Sequence, residues 1–395
     1  NFRYYNINSE GKLFSDTAGT KLNVWEGGAF LQASRKFLND RLKVTASGRA
    51  DVHQNFPLVL TPRLALLYSI GEKKNHVFRA SVQTGFRTPS LQNQFVNIFV
   101  GSLTAIGGLK EASQYYGIEN NAYTLASYQQ FSAGYRPGVT NQDSFITARS
   151  PVLVKYDAAP IKQEKVLTYE LGYRANLFDR LYIDINGYYN EYRDLIGNLL
   201  IVGPTLADAK SGNAEVVNLQ PGELLPQVTA GGVAPPRFAV YQRAVNSTQV
   251  LKSYGGGINV NYFFAKKFNL NASYSYNKLD LTEENKKDLL IPAYNTPLHR
   301  VNVGITGNNV GVKNLGFGVN YRWSDAYDYT WDVVTARIPA YNLIDMNISY
   351  KVSKLKSIVK IGGTNILNTR HIEAAASPTI GGIYYFQVIF DQFMN

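Results

Sequence analysis

The chain has 395 residues, no cysteine, and 40 Lys and Arg against 29 Asp and Glu, which gives a formal net charge of +11. No apolar run approaches the roughly eighteen residues that predict a membrane-spanning helix. An apolar content of 45% argues against disorder. The absence of cysteine excludes disulfides, thiolate metal sites and cysteine nucleophiles. The charge favours anionic partners such as lipid headgroups or acidic ligands, and the lack of a basic block argues against nucleic acid.

Apolar and polar residues alternate with a period of two, which predicts strands with one apolar and one polar face. Clear examples, in chain order, are residues 42–51, 181–190, 268–275 and 315–323. About thirteen such segments occur, each near the ten residues that a tilted strand needs to cross a bilayer. They begin near residues 24, 41, 57, 75, 163, 180, 247, 267, 297, 314, 339, 355 and 380.

Short and long connections alternate almost regularly between these segments. The short ones are 39–41, 71–75, 179–180, 265–267, 308–314 and 353–354, and the long ones are 91–160, 201–236, 282–296, 324–337 and 369–379; only 53–57 breaks the alternation. A transmembrane antiparallel β-barrel has this pattern, with periplasmic turns and longer extracellular loops. The sequence therefore predicts an all-β membrane barrel, with 91–160 and 201–236 extracellular. A soluble all-β protein is the alternative.

Aromatic residues cluster towards both ends of the predicted strands, which indicates two interfacial belts. The loop-side belt contains Tyr188, Tyr189, Tyr274, Tyr276, Tyr321 and Trp323, and the turn-side belt contains Tyr68, Tyr173, Tyr262, Tyr350 and Phe390. Bacterial barrels have even strand numbers, and an open edge is not tolerated in lipid. We therefore expect the C-terminal part of a larger barrel. Residues 2–5 could be the end of one more strand.

Five strings, taken together in this order, resemble the C-terminal barrel of TonB-dependent outer-membrane receptors, and their style is closest to the Bacteroidetes type. They are Gly85-Phe86-Arg87-Thr88-Pro89-Ser90; Lys162-Gln163-Glu164 with Tyr169-Glu170-Leu171-Gly172-Tyr173; Asn295-Thr296-Pro297-Leu298-His299-Arg300; Tyr341-Asn342-Leu343-Ile344-Asp345; and Gly363-Thr364-Asn365-Ile366-Leu367-Asn368. The resemblance implies that residues 1–395 are barrel and that about thirteen strands correspond to strands 10–22 of a 22-stranded, plugged barrel.

The resemblance further implies a multi-pass protein of the cell outer membrane that takes up a scarce ligand, such as a metal chelate or another anionic nutrient, with energy from the inner membrane. The implied partners are outer-membrane lipid, the receptor's own N-terminal plug, the TonB complex through the missing N-terminal region, and a surface lipoprotein. The glycan-importing branch that pairs with a lipoprotein ranks lower. A passive porin or a structural surface barrel is the alternative function.

Charged residues on the polar side of the predicted strands are candidates for contact with the plug or a ligand in the lumen: Arg79, Arg87, Glu170, Arg174 and Arg322. Glu170 matches a family position at which barrel carboxylates face plug arginines. The alternative interpretation is a water-filled lumen in which wall charges pair with one another.

Tyrosines of the 91–160 loop are candidates for ligand capture, since their rings are amphipathic and cost little entropy on binding: Tyr115, Tyr116, Tyr123 and Tyr128. The alternative is packing against the barrel mouth. The four His are far apart and lack metal-ligand spacing, and no nucleophile elbow or phosphate-binding loop occurs. The sequence therefore predicts no catalytic residue, no metal site and no cofactor, and the protein is not expected to be an enzyme.

Overall fold

The structure is a computed structural model that describes residues 1–15, 22–136, 141–212, 221, 227–229, 232–234, 238–281, 294–331 and 334–390. Much of the predicted connections 201–236 and 282–296 lies outside these residues. The described strands are β1 Phe2–Ile7, β2 Leu22–Phe37, β3 Leu42–His53, β4 Phe56–Ile70, β5 His76–Arg87, β6 Asn97–Val100, β7 Leu103–Ile106, β8 Tyr123–Thr124, β9 Glu164–Leu177, β10 Leu181–Arg193, β11 Ile196–Pro204, β12 Gln227–Thr229, β13 Gly232–Ala234, β14 Phe238–Asn246, β15 Leu251–Phe264, β16 Phe268–Asp280, β17 His299–Asn308, β18 Leu315–Ser324, β19 Tyr327–Trp331, β20 Val334–Ile338, β21 Tyr341–Val352, β22 Ser357–Thr364 and β23 Ile383–Phe390.

One large sheet contains fourteen strands in the order β1–β5, β9, β10, β15–β18, β21, β22 and β23. Every pairing in it is antiparallel and joins strands that follow one another along the sheet. The predicted barrel wall is confirmed, and its fourteen strands among the described residues agree closely with the prediction of about thirteen. The additional strand is β1, of which the sequence showed only a short aromatic segment. Within the described residues, β1 and β23 each pair on one side only.

The short connections predicted from the sequence are tight turns at one end of this sheet, which we call the turn end. The turn between β9 and β10 has positive φ at both Phe178 (55°) and Asp179 (53°). Two consecutive residues in this conformation are typical of a type I′ turn, whose twist matches that of the flanking strands. The opposite end carries the long connections, and we call it the loop end.

The two faces of the large sheet differ in chemistry. Residues that oppose each other in the register present their side chains on the same face, and one such row joins Ala80, Leu171 and Gly187. Large side chains on this face are strongly exposed, with Leu171 at 70% and Phe386 at 67%. An exposed, continuous apolar face is stable against lipid rather than water. We call it the apolar face, and its opposite the polar face.

The register places ten of the eleven predicted belt residues on the apolar face. Tyr188 is the exception, because it is in register with Glu170 and Gly255 on the polar face. There its hydroxyl donates a hydrogen bond to Asn277 Oδ1 at 2.6 Å. Its assignment to the belt was wrong for a simple geometric reason: adjacent residues of a strand point to opposite faces, so Tyr188 and Tyr189 cannot both face lipid.

Short helices occur mainly in two connections, from β5 to β9 and from β10 to β15. They are α1 Leu91–Phe95, α2 Lys110–Tyr115, α3 Leu125–Ser132, α4 Gln142–Arg149 and α5 Leu206–Lys210, and 3₁₀ turns span Ser150–Val152 and Ser353–Leu355. None of the helices in the described ranges is long and apolar enough to span a membrane.

A second sheet, with the strand order β6-β7-β14-β11-β8, lies outside the barrel wall. It combines two distant segments, since β7 pairs in parallel with β14 and β8 pairs with β11. We call the described parts of 91–163 and 195–247 the cap. Its core includes Ile106, Ile118, Ile201 and Tyr241, all 1% exposed or less. The described part of the 91–160 connection, which the sequence predicted only as a long extracellular loop, is therefore largely folded.

Candidate functional site

A charged cluster lies on the polar face near the turn end. Asp184 on β10 accepts hydrogen bonds from Arg79 Nη2 at 2.6 Å and from Arg174 Nε at 3.0 Å, and Tyr182 donates a third at 3.3 Å. Asp184 is 8% exposed, so its charge is held by two cations in a largely enclosed position. The sequence placed both arginines on the polar side of their strands, and their shared carboxylate follows from the register.

Gly172 allows Arg79 to reach this carboxylate. Arg79 on β5 opposes Gly172 on β9, and Asp184 lies one strand further, on β10. The guanidinium therefore crosses over β9 at the glycine. A Cβ atom at Gly172 would lie 2.5 Å from Arg79 Nε, which is closer than van der Waals contact allows. A glycine is thus needed at this position because the ion pair leaves no space for a side chain, and not because of the backbone conformation.

A second pair on the polar face joins Arg322 of β18 to Asp345 of β21. Arg322 Nε and Nη2 donate to the two carboxylate oxygens at 2.9 and 3.1 Å, and the backbone N–H of Asn365 donates to Asp345 Oδ1 at 2.9 Å. A bidentate arginine–carboxylate contact is strong and directional. The pair connects three consecutive parts of the wall, because Asn365 follows directly after β22.

Arg87 takes part in a contact between the barrel wall and the cap at the loop end. It is the last residue of β5, and its Nη2 donates to Glu164 Oε1 at 2.5 Å while its Nε donates to Glu164 Oε2. Glu164, the first residue of β9, also accepts the backbone N–H of Ile196 at 2.8 Å. Since Ile196 begins β11 of the cap sheet, one buried carboxylate links the barrel wall to the cap. The sequence analysis quoted Glu164 within a string but assigned it no role.

The other charged residues of the polar face do not all form ion pairs. Among the described residues, the one hydrogen bond that the Glu170 carboxylate accepts is from the hydroxyl of Ser81, at 3.0 Å. Lys43, Arg63 and Arg300 lie on the same face by register, and none of them has a carboxylate within ion-pair distance in the described part of the chain. Cations therefore exceed carboxylates among the unpaired groups of the wall. The register places all five predicted residues, Arg79, Arg87, Glu170, Arg174 and Arg322, on the polar face.

The four predicted loop tyrosines differ in exposure. Tyr116 and Tyr128 are 7% and 3% exposed and belong to two core clusters of the cap. Tyr123 is half-buried in β8 against the second of these clusters. Tyr115 is 47% exposed, and Lys210 Nζ lies 5.4 Å from its ring centroid. The positions of Tyr116 and Tyr128 favour the packing alternative, and Tyr115 is the one whose ring a ligand could reach.

Arg243 of β14 is fully buried in the cap and holds its two segments together. Its guanidinium donates to the Tyr156 hydroxyl, to Ala159 O at 3.1 Å and to Gly108 O at 2.9 Å. Burial raises the pKa of the Tyr156 phenol, so this group stays protonated and accepts from the cation through its oxygen. Sequence reasoning missed Arg243, since a single Arg in a mixed segment gives no signal.

No group of three or more His, Asp or Glu among the described residues is arranged to hold a metal ion. The charged clusters above consist of arginines with one carboxylate each, which suits ion pairing rather than metal coordination. The arrangement can bind, orient and guide a charged surface or solute along the wall.

Comparisons with known proteins agree with this architecture. The family described as "TonB dependent receptor-like, beta-barrel" matches residues 1–366. A search of curated proteins finds no match.

Several solved structures share the fold. The siderophore receptor PirA from Acinetobacter baumannii is 12% identical with a TM-score of 0.60, over 98% of this chain and 50% of that one. A mutant of the ferric enterobactin receptor PfeA from Pseudomonas aeruginosa is 11% identical, with a TM-score of 0.62, over 98% and 49%. The FrpB iron transporter from Neisseria meningitidis is 12% identical, with a TM-score of 0.56, over 98% and 51%.

This chain thus spans about half the length of the solved structures that it matches. The family consists of transport receptors of the outer membrane, and its barrel accounts for the antiparallel wall, the apolar face and the elaborate loop end. The chain belongs to the TonB-dependent receptors and forms part of the β-barrel of such a receptor.

Proposed function

We propose that the full-length protein imports a scarce anionic nutrient, such as a metal chelate, across the outer membrane with energy supplied through TonB. The observation that carries this proposal is the excess of unpaired cations on the polar face, where Lys43, Arg63 and Arg300 outnumber the one weakly engaged carboxylate, Glu170. In a barrel of this family the polar face surrounds the lumen. Positive potential in such a passage raises the local concentration of anions and their rate of entry.

The related proteins support the choice of metal chelates, since they are a siderophore receptor, a ferric enterobactin receptor and an iron transporter. We extend this to the present chain as part of the proposal. The long connections at the loop end, with the cap, would then face the outside of the cell, and the tight turns would face the periplasm.

Glu170 is the residue that we propose for contact with a plug domain. Its carboxylate accepts one hydroxyl hydrogen bond, although a carboxylate can accept about four. Arg79, Arg174, Arg87 and Arg322 already have carboxylate partners, and they would offer the plug or ligand their remaining N–H groups. A contact of this kind can break and re-form when the receptor is energised.

The test is uptake of ferric enterobactin and ferric citrate by cells that express the full-length protein. We expect uptake to require TonB, and we expect the triple change Lys43→Gln, Arg63→Gln and Arg300→Gln to lower the uptake rate several-fold at low ionic strength. Lys73→Gln, in an exposed turn, is the matched control and should leave the rate unchanged. Equal uptake without TonB would instead support the passive porin, and an unaffected triple variant would refute the role of the cations.

A further inference from the structure

The turn end of the large sheet carries much of the positive charge of the chain. Its six turns contain nine Lys or Arg and three Asp or Glu, which leaves +6 of the formal +11 of the chain. They are residues 38–41, 71–75, 178–180, 265–267, 309–314 and 353–356. Water accommodates exposed charges of both signs. Exposure alone therefore explains why the turns are polar but not why one sign dominates.

Three successive turns along the wall contain cations and no acidic residue. They join β15 to β16, β17 to β18 and β21 to β22, and we call their lysines the basic rim: Lys266, Lys267, Lys313, Lys354 and Lys356. All five are exposed. In the part of the chain that the structure describes, no carboxylate lies within ion-pair distance of any of them. Elsewhere at the turn end Lys36 pairs with Asp40 at 3.5 Å, and Lys73 with Asp179 at 3.9 Å.

Backbone hydrogen bonds fix these turns side by side. The N–H of Asn308 donates to Lys267 O at 2.9 Å, and the N–H of Lys351 donates to Asn314 O at 3.1 Å. Successive turns are two strands apart, which is about 10 Å. The lysines therefore form a row along the edge of the wall and cannot disperse. Like charges held in this way repel one another, and an anion among them would remove the repulsion.

An aromatic row lies next to the basic rim on the apolar face. Phe264, Phe268 and Phe317 fall in one line of the register, which continues to Phe386. The ring centroids of Phe264 and Phe268 are 5.2 Å apart, and those of Phe268 and Phe317 are 6.3 Å apart. Gly307 lies between the last two, and a Cβ there would be 2.4 Å from the Phe317 ring. Rings at the end of a membrane strand lie near the depth of the lipid headgroups.

We propose that the basic rim and the aromatic row together bind an anionic phospholipid from the leaflet that borders the turn end, with phosphatidylglycerol as the simplest lipid of this chemistry. Its phosphate would accept hydrogen bonds from the lysine ammonium groups, whose flexible stems can reach back to the interface. Its acyl chains would pack on the aromatic row. Each lysine near an anionic bilayer surface strengthens the association.

The same arrangement selects the charge of the lipid. A zwitterionic headgroup brings its own ammonium group, which a row of lysines repels, whereas phosphatidylglycerol has a net negative charge. An acidic protein would also be attracted to the lysines. It would leave the adjoining aromatic row without a role, since that row lies on the apolar face. The position of the two features next to each other therefore favours lipid.

The experiment measures which lipids the full-length receptor retains. The receptor is reconstituted into nanodiscs with equal amounts of phosphatidylglycerol and phosphatidylethanolamine, and the lipids that stay bound after release are counted by native mass spectrometry. We expect phosphatidylglycerol to be retained over phosphatidylethanolamine by at least about threefold. Replacement of all five rim lysines by Gln should abolish this preference. Replacement of the same five by Arg should preserve it, because the charge is kept.

A matched control removes the same formal charge from the loop end. Five exposed lysines there are changed together to Gln and should leave the preference unchanged: Lys12, Lys110, Lys155, Lys162 and Lys210. No preference in the wild type, or an equal preference in the wild type and the rim Gln variant, would overturn the proposal. If the rim Gln variant loses binding of a poly-glutamate peptide while its lipid preference is unchanged, the partner is an acidic protein and the proposal is overturned.

The basic rim is distinct from Lys43, Arg63 and Arg300, on which the proposed import of an anion depends. Uptake of ferric enterobactin is measured in the same variants. A change of lipid preference without a change of uptake supports the lipid site by itself, so the failure of one proposal can be told from the failure of the other.

Discussion

Replacement of Arg243 is expected to loosen the cap without disturbing the barrel wall. Arg243 is 0% exposed and donates to Tyr156, Ala159 and Gly108. Hydrogen bonds from a charged donor contribute about 1.5 kcal/mol each at the low end, so three contribute roughly 4–5 kcal/mol. Removal of the cation recovers part of its desolvation cost. We therefore expect Arg243→Ala to lower the stability of the cap by about 3 kcal/mol.

The assay is amide hydrogen exchange, read by mass spectrometry on the full-length protein in lipid nanodiscs. A loss of about 3 kcal/mol corresponds to roughly a hundredfold faster exchange of cap amides that open locally. Amides of β9 and β10 should be unaffected. Arg243→Met keeps the length of the side chain and should show most of the same effect if hydrogen bonds dominate. Arg149→Ala is the control, because its guanidinium donates a single hydrogen bond, to Ala133 O, within the described residues. If the cap amides of Arg243→Ala exchange at rates within threefold of the wild-type rates, the reasoning is refuted.

Three further changes test the contacts of the wall. Gly255→Ala would place a Cβ 2.3 Å from a backbone oxygen and should destabilise the barrel by roughly 1–3 kcal/mol. Gly48→Ala is the control, because a Cβ there would have no atom within 4 Å. The unfolding temperatures of the two variants are compared from the shift between the folded and unfolded bands on gels of samples heated to increasing temperatures. Gly172→Ala should cost stability in the wild type but little in an Arg79→Ala background, and equal costs would contradict the crossing contact. Glu164→Gln should speed amide hydrogen exchange at the start of β11, and unchanged exchange would contradict the contact between Glu164 and Ile196.

Strand periodicity could be interpreted from the sequence because lipid and lumen impose opposite chemistry on alternate residues. Segments of ten or more residues carry this signal, and the residues predicted for the polar side lie there. Ion-pair partners needed the register: Asp184 could be placed on the polar side, but its contact with Arg79 across Gly172 depends on which residues oppose one another. The strand β1 escaped a firm prediction because six residues are too few for the pattern.

The cap could not be predicted for a related reason. Its strands β6, β7 and β8 have two to four residues, and its helices have five to eight. Elements this short do not complete the window from which periodicity is judged. Their stability comes from contacts between distant segments, such as Arg243 with Gly108, which lie 135 residues apart. A single sequence contains no sign of such a contact.

The division of the cap between two connections constrains how the loop end can be exchanged between related receptors. Each connection leaves the wall and returns at the neighbouring strand, so a loop could in principle be cut out and replaced without changing the wall. The parallel pairing of β7 with β14 and the antiparallel pairing of β8 with β11 join the two connections into one folded unit. A graft of either segment alone would leave an open sheet edge and an unfilled core. Segments 88–163 and 194–250 would have to be transferred together to carry a new specificity.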